Sequence, residues 1–348
     1  MSPFVLAILL PALVLGTTIT LASSHWLIAW VGLELNTLAM LPLMTRQPHP
    51  RAVEATIKYF LIQAAAAATL LFAATTNAWF TGQWDIQQMV HPVPTAVTTL
   101  ALAMKIGLAP THFWLPEVLQ GLDLTTGLIL STWQKLAPFA LLLQMPNHNQ
   151  TLLMVLGALS TLVGGWGGLN QTQLRKILAY SSIAHLGWMA LVLPFSPSIS
   201  LFTLILYFIM SFSTFIVFKL NNSTNINALA ISWAKSPALS AITPLILLSL
   251  GGLPPLSGFM PKWFILAELT KQGLALMATV AALSALLSLY FYLRLSYVMA
   301  LTMCSNTSMG PSPWRLPTPQ STLPLAVTTM ATLALLPITP LAFSLFTP

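Results

Sequence analysis

Four charged residues interrupt apolar stretches at places where a charge inside a membrane would have to do chemistry. Glu34 lies near the middle of HWLIAWVGLELNTLAMLPLM, and Lys135 lies near the middle of LTTGLILSTWQKLAPFALLL. Lys105 stands just before the break GLAP, and Lys262 follows the similar break GLPPLSGFMP. An ionisable side chain at the bilayer centre costs roughly 2.5 to 3.5 kcal/mol, so such residues are paired or functional by default. One carboxylate and three amines are groups that can carry protons.

Opposite charges at this depth can control one another's protonation. A Glu–Lys contact near 4 Å is worth about 4 kcal/mol at an effective dielectric of 20, whereas desolvation acts against the charged form. A lysine that gains or loses a carboxylate partner can therefore take up or release a proton, as a relay requires. A static ion pair between Glu34 and Lys105 that fixes helix register is the structural alternative. Three lysines for one glutamate exceed what pairing alone needs.

Two histidines could assist such a relay. His112 follows the first break, and His185 lies near the middle of RKILAYSSIAHLGWM. A free imidazole has a pKa of about 6.5, which suits proton exchange, but each ring could equally donate to a neighbouring serine or carbonyl. The six histidines lack metal-ligand spacing, and Cys304 as the one cysteine excludes a disulfide or thiolate cluster within this chain. We expect no metal site in this chain.

The composition explains why these charges are exceptional. Only 5% of the 348 residues are charged and 56% are hydrophobic, whereas a soluble domain carries about 25% charged residues. The chain is therefore predicted to be an integral membrane protein. Its 13 basic and 6 acidic residues are scattered rather than clustered, which argues against a nucleic-acid site. The apolar start MSPFVLAILLPALVLG lacks a basic leader and is interpreted as a retained span.

Apolar stretches long enough to cross about 30 Å of hydrocarbon recur along the chain, which predicts an all-α polytopic protein with about eleven transmembrane helices. The predicted spans are 3–23, 25–44, 55–80, 94–113, 124–145, 150–169, 174–194, 199–219, 237–257, 274–301 and 322–345. The predicted loops on the side of the N-terminus hold six basic residues, whereas those on the other side hold little beyond Lys271. The six are Arg46, Arg51, Arg175, Lys176, Lys235 and Arg315. The positive-inside rule then places the N-terminus on the cytoplasm-like or matrix side and, with an odd number of spans, the C-terminus opposite.

An internal repeat relates the two breaks. GLAPTHFWLPE (107–117) and GLPPLSGFMPK (252–262) match at an offset of 145 residues, with Gly107 and Pro110 in register with Gly252 and Pro255. The offset covers five predicted helices, so the copies would be inverted repeats with discontinuous helices, as in transporters; chance recurrence of Gly and Pro is the alternative. The predicted organisation is a first five-helix repeat (1–146), an inverted second one (147–301), and a linker with a C-terminal transmembrane helix (302–348).

Three long stretches resemble a known family. They are KIGLAPTHFWLPEVLQGLDLTTGLILSTWQKLAPFALL (105–142), GGLNQTQLRKILAYSSIAHLGWM (167–189) and GGLPPLSGFMPKW (251–263). They are similar to the chain 2 family of mitochondrial NADH:ubiquinone oxidoreductase, respiratory complex I, which belongs to the antiporter-like subunits. The resemblance covers essentially the whole chain and is least distinctive after about residue 300.

The resemblance implies a core membrane-arm subunit that translocates protons, coupled to NADH oxidation and ubiquinone reduction elsewhere in the complex. It implies no redox chemistry in this chain, with NADH, FMN, iron–sulfur clusters and ubiquinone held by partner subunits. By motif match, the family's proton-translocating positions fall on Glu34, Lys105, Lys135 and Lys262, with His112 and His185 as candidate relay residues.

The resemblance also implies a location and partners. The chain would lie in the mitochondrial inner membrane, with its N-terminus in the matrix and its C-terminus in the intermembrane space. Its partners would be other membrane-arm subunits including antiporter-like neighbours, accessory subunits, and lipids such as cardiolipin, but no nucleic acid. Bacterial relatives carry three further N-terminal helices. Which subunit covers the corresponding flank of the first repeat in this chain is therefore an open question.

Two other classes of protein are consistent with the residues alone. A free-standing cation/proton antiporter would show the same midplane lysines and inverted repeat, but would work without NADH dehydrogenase partners. A structural membrane subunit could use the charges as a static coupling axis while it transmits conformational change. Counting protons per NADH after substitution of Lys135 separates a pump from a static axis.

Overall fold

The computed structural model describes residues 3–145, 149–234, 236–301 and 323–344, and these ranges form α-helices and no β-strand. The predicted all-α class is therefore confirmed for this part of the chain. Cys304, Arg315 and Lys235 lie outside the described residues. The chain divides into two compact units, Met1–Ser160 and Thr161–Pro348. The repeat boundaries at 146/147 and 301/302 stay predictions, and residues 302–322 lie outside the described ranges.

The first unit is a bundle in which α3 and α7 contact several neighbours. Its helices are α1 (Pro3–Ala22), α2 (Trp26–Met44), α3 (Pro50–Thr81), α4 (Pro92–Ile106), α5 (Trp114–Gly121), α6 (Leu124–Ser131) and α7 (Trp133–Gln144). Helix α3 packs against α2, α4 and α5, while α7 packs against α1, α4 and α6. Helix α8 (Gln150–Gly167) crosses the boundary between the units.

The second unit is arranged around α10. Its helices are α9 (Leu174–Val192), α10 (Pro197–Leu220), α11 (Ile226–Ala230), α12 (Pro237–Gly251), α13 (Phe259–Lys271), α14 (Ala275–Leu301), α15 (Leu323–Ala334) and α16 (Thr339–Ser344). Helix α10 contacts α9, α12, α13 and α15, and α14 packs along α12. The first residues of α10 and α12 include Pro197 and Pro237, where a missing amide hydrogen costs nothing.

Fewer helices than predicted are long and apolar enough to cross a membrane. In the described ranges, α1, α2, α3, α8, α10 and α14 are long and apolar enough to span, and the pair α15–α16, bent by 67°, could make one more. The number of about eleven spans is not confirmed. The stretch 259–271 lies between two predicted spans, but in the structure it forms α13. The 13 residues of this helix extend only about 20 Å at 1.5 Å per residue.

The predicted span 124–145 is two helices rather than one. The hydroxyl of Thr132 donates to the carbonyl of Leu128 at 2.7 Å, and the amide of Lys135 donates to the carbonyl of Thr132 at 3.2 Å. Back-bonding of a threonine hydroxyl competes with the helical ladder and bends or interrupts helices. Lys135 therefore lies in the first turn of α7 and not in the middle of a continuous helix.

The backbone at the two breaks is nearly the same. The residue after α4 is Gly107, at φ 87° and ψ 40°, and the residue after α12 is Gly252, at φ 81° and ψ 41°. This left-handed conformation ends a helix and favours glycine. The helices that follow, α5 and α13, begin at Trp114 and Phe259, which are again 145 residues apart. Pro110 and Pro255 lie in the irregular segments between.

A second backbone feature also occurs once in each unit. An isolated antiparallel bridge joins His25 to Asp85 in the first unit and Gln173 to Asn225 in the second. Two amide-to-carbonyl hydrogen bonds of 2.9 to 3.2 Å flank each bridge, and a helix, α2 or α9, begins directly after it. These shared features favour an internal repeat. The opposite membrane sense of the two copies stays a prediction.

Candidate functional site

A polar cavity in the first unit brings two of the predicted lysines together. About 20 Å³ of it is accessible to the centre of a water molecule, which is enough to hold one water. Lys105 and Lys135 both line it, and its other polar lining residues are Asn36, Thr37, Tyr59, Gln63 and Gln134. The arrangement places two amines around one small polar space.

Lys105 is positioned by the end of α4. Its side chain is 6% exposed, and the helix stops two residues later at Gly107, which leaves the last carbonyls without helical donors. Side chains from other helices supply two of those donors. Nε2 of Gln63 donates to the carbonyl of Lys105 at 3.3 Å, and Nε1 of Trp114 donates to the carbonyl of Met104 at 3.3 Å. These hydrogen bonds to the last carbonyls of α4 fix the backbone that carries Lys105.

Lys135 reaches the same cavity from α7. It is 2% exposed and follows the interruption at Thr132, so that it lies in the first turn of the helix. Helix α7 packs against α4, which carries Lys105 in its last turn. The end of α4 at Gly107 and the start of α7 after Thr132 thus place both lysines on the lining of one cavity.

Glu34 lies beside this cavity rather than in it. Its neighbours on α2, Leu33, Asn36 and Thr37, are lining residues. The hydroxyl of Thr37 shares its one hydrogen between the main-chain carbonyl of Glu34, at 2.9 Å, and Oε2 of Glu34, at 3.0 Å. Glu34 makes no direct ion pair with Lys105 in this structure. The expected contact between them therefore stays a prediction.

His112 is buried but does not line the cavity. It is 4% exposed and lies between α4 and α5, where its ring packs against Phe113 with 4.3 Å between ring centroids. Nδ1 of this ring is buried and makes no hydrogen bond within the described residues. The structure thus places His112 at the first break without bringing it to the space shared by the lysines.

In the second unit the structure brings Lys262 and His185 together. Both line a closely packed pocket with Ser288 and Tyr292. Nζ of Lys262 donates to the carbonyl of Gly251 at 2.7 Å, an acceptor available because α12 ends there. The side chain of Lys262 also lies against Gly252, since a Cβ on this glycine would be 2.8 Å from Nζ. The ring of His185 packs on Tyr207 at 5.3 Å between centroids.

Sequence reasoning missed the uncharged polar residues of both pockets. Asn36, Tyr59 and Gln63 in the first unit and Ser288 and Tyr292 in the second contribute to the lining. The available signal was a polar side chain inside an apolar span, which is unfavourable unless it faces protein or water. That signal does not say which face of a helix the residue occupies, so it could not assign these residues to a site.

An ion cluster joins α3 to α5 on the surface of the first unit. Nζ of Lys58 lies 2.6 Å from Oε1 of Glu54 and 2.7 Å from Oε2 of Glu117, with all three side chains about half exposed. Glu54 and Lys58 lie one helical turn apart on α3. Their pairing with Glu117 could not be read from the sequence, because 59 residues separate it from Lys58.

No group of three or more His, Cys, Asp or Glu side chains that could hold a metal occurs among the described residues. The two lysines of the cavity are suited to exchanging protons rather than to binding a metal, because an ammonium offers donors and no acceptor.

Helical units with a broken helix and a buried lysine beside each break define an antiporter-like membrane protein. A family model described as "NADH:quinone oxidoreductase/Mrp antiporter, TM" matches residues 23–288, and one described as "NADH dehydrogenase subunit 2 C-terminus" matches residues 289–343. A solved structure of respiratory complex I from Thermus thermophilus with bound aureothin contains a chain that matches with a TM-score of 0.86 and 30% identity, covering 99% of this chain and 80% of that chain.

The Mrp complex from Dietzia sp. DQ12-45-1b has a chain that matches with a TM-score of 0.79 and 18% identity, covering 95% of this chain and 74% of that one, which shows a shared fold. Among curated relatives, "NADH-ubiquinone oxidoreductase chain 2" from Tetraodon nigroviridis is 68% identical over 346 residues, 99% of each chain. The protein of the same name from Salmo salar is 66% identical over 348 residues, 100% of each chain. The chain belongs to the NADH-ubiquinone oxidoreductase chain 2 family, which confirms the resemblance drawn from its motifs.

Proposed function

We propose that this chain is a core membrane-arm subunit of mitochondrial respiratory complex I that translocates protons, coupled to NADH oxidation and ubiquinone reduction in other subunits. The observation that carries the proposal is that Lys105 and Lys135, both almost fully buried, line one small polar cavity. Buried amines cost free energy in a membrane. A shared, water-sized space between two of them is what proton transfer requires.

In the proposed mechanism the four charged residues have different tasks. Glu34 sets the charge state of Lys105 from α2, and the proton passes from Nζ of Lys105 to Nζ of Lys135. Lys262 carries the proton in the second unit, where His185 lines the same pocket. Moving one proton against the membrane potential costs about 2.3 kcal/mol per 100 mV. A Glu–Lys contact near 4 Å is worth about 4 kcal/mol at a dielectric of 20, so making and breaking that contact is large enough to drive the step.

Lys105→Met is the direct test of this function. Methionine keeps the length of the side chain but cannot hold a proton, so we expect assembled complex that oxidises NADH without normal proton movement. The measurement is the number of protons moved per NADH in sealed vesicles, followed with a pH-sensitive dye. Lys58→Met is the matched control, since its amine lies on the surface of the same unit. Unchanged proton movement in the Lys105 variant would contradict the proposal.

Thr37→Val tests whether Glu34 acts as a switch. In the observed arrangement the hydroxyl of Thr37 lies 3.0 Å from the carboxylate of Glu34 and 2.9 Å from its main-chain carbonyl, and such a shared bond contributes about 1 kcal/mol. Valine releases Glu34 to pair with Lys105, which then keeps its proton. We expect pumping about fivefold slower, the factor that corresponds to about 1 kcal/mol.

The control for Thr37→Val is Thr37→Ser, which retains the hydroxyl and should pump near the wild-type rate. Equal pumping rates in the valine variant, the serine variant and the wild type would show that the hydroxyl does not govern Glu34.

We also place the chain in the mitochondrial inner membrane as a multi-pass protein, with its N-terminus in the matrix and its C-terminus in the intermembrane space. The basic residues of the predicted loops support this orientation through the positive-inside rule. Its neighbours would be other membrane-arm subunits, antiporter-like ones among them, together with accessory subunits and lipids such as cardiolipin. The redox cofactors would remain in partner subunits.

A further inference from the structure

Asn36 is a buried polar residue that the mechanism above does not use. It is 2% exposed, lies on α2 two residues after Glu34, and lines the cavity that holds Lys105 and Lys135. Neither the nitrogen nor the oxygen of its amide hydrogen-bonds another group in the ranges that the structure describes. Buried amides in native proteins are satisfied by protein or by water, because an unpaired one is strongly unfavourable.

Two neighbouring helices hold Asn36 in this position. A Cβ on Gly16 of α1 would lie 2.5 Å from Oδ1 of Asn36, so the absence of a side chain at Gly16 leaves room for the amide. From α7, Nε2 of Gln134 donates to the main-chain carbonyl of Asn36 at 3.4 Å. Gln134 directly precedes Lys135, so this hydrogen bond joins the backbone at Asn36 to the turn that carries the second lysine.

The amine of Lys105 also lacks a hydrogen-bond partner. Its Nζ is buried and makes no hydrogen bond within the described part of the chain. An ammonium offers three donors, whereas an asparagine amide offers an acceptor oxygen and two donor hydrogens. Asn36 and Lys105 line the same cavity, which has room for one water, and a buried water is stable when two to four polar groups, roughly, surround it. Asn36 and Lys105 supply two of those groups.

We infer that Asn36 is a positioning residue that holds a water molecule between the amines of Lys105 and Lys135. The inference rests on the proposed function, because such a water matters only if a proton passes between the lysines. The water accepts a proton from Nζ of Lys105 while one of its own protons moves to neutral Nζ of Lys135. One N–H bond breaks and another forms, and the water is regenerated. The other hydrogen of the water remains hydrogen-bonded to Oδ1 of Asn36, and this bond fixes the orientation of the water.

The test compares Asn36→Leu with Asn36→Ser in the assembled complex. Leucine is similar in size but cannot bind water, whereas serine keeps a polar group and leaves space for a further water. Since a displacement of about 1 Å at a reacting group can slow a step on the order of 100-fold, we expect NADH-driven proton movement to fall on the order of 10- to 100-fold in Asn36→Leu. Asn36→Ser should restore most of it. Asn77→Leu is the matched control, because Asn77 is equally buried but lies on α3 away from the cavity.

A direct readout is the density for water in the wild-type complex at a resolution that shows ordered waters. We expect a water within hydrogen-bonding distance of Oδ1 of Asn36 and Nζ of Lys105. An amide of Asn36 that contacts Lys105 directly, with no water between them, would overturn the inference. This readout also decides the case in which Asn36→Leu does not assemble.

The variants separate this inference from the function on which it rests. Normal pumping in Asn36→Leu together with loss of pumping in Lys105→Met would overturn the role of Asn36 and leave the proton pump intact. Normal pumping in both would overturn the proposed function. Equal loss in the leucine and serine variants would show that Asn36 acts through packing, which also overturns the inference.

Discussion

Replacing Lys135 by Met is expected to abolish proton pumping linked to NADH oxidation while the complex still assembles. Lys135 is 2% exposed and lies at the cavity it shares with Lys105, so methionine fills the same space without a group that can bind a proton. Burial of a lysine at the bilayer centre costs roughly 2.5 to 3.5 kcal/mol, and its removal should not weaken the fold. The measurements are protons per NADH in sealed vesicles and migration of the complex on a native gel.

The control for this experiment is Lys219→Met, which removes an exposed lysine from the last turn of α10. It should leave pumping and assembly unchanged. If Lys135→Met instead keeps normal turnover and a normal number of protons per NADH, Lys135 is not a proton carrier. A static charge axis would then describe the chain better than a pump.

Substitution of Gly252 by alanine is expected to displace Lys262 and to stop the proton step in the second unit. The Cβ would lie 2.8 to 3.0 Å from three atoms of the Lys262 side chain, so the lysine must move away from the carbonyl of Gly251 that it contacts at 2.7 Å. The φ of 81° at Gly252 adds strain, because a left-handed conformation costs other residues about 1 to 2 kcal/mol. We expect loss of NADH-driven pumping and a lower thermal unfolding temperature.

Gly273→Ala separates the two effects. Gly273 follows α13 in the same unit and has a φ of 73°, but a Cβ there would meet no atom of the described residues within 4 Å. This variant should share the loss of thermal stability and keep its proton pumping. If Gly252→Ala pumps as well as Gly273→Ala, the position of Lys262 against the break is not needed for function.

Much of the candidate site could be predicted from the sequence because charged residues are rare in it. In a chain with 5% charged residues, each one inside an apolar stretch is conspicuous, and the rule that such groups are functional or paired selects Glu34, Lys105, Lys135 and Lys262. The breaks were equally visible, since Gly107 and Gly252 stand in matching motifs. The helical class followed from the length of the apolar stretches.

The helix boundaries were harder to predict. The interruption at Thr132 has no distinctive local signal, because a threonine hydroxyl that bonds a carbonyl four residues earlier, as Thr132 bonds Leu128, also occurs inside a continuous helix at Thr328. The existence of α13 was missed because its residues mix charge with apolar side chains. Hydropathy measures composition over a window, and it is insensitive to single hydrogen bonds that end a helix.

The membrane class, the family, the two broken helices and the few charges available for proton transfer could be predicted without a structure, since all of these are properties of composition or contiguous motifs. Which charged residues line the same cavity depends on how the helices pack. The tertiary structure places Lys105 and Lys135 around one cavity with Asn36, leaves Glu34 bonded to Thr37 rather than to Lys105, and keeps His112 outside. These outcomes depend on contacts between helices distant in the chain, and the direction in which a side chain points is set by that packing rather than by its neighbours in sequence.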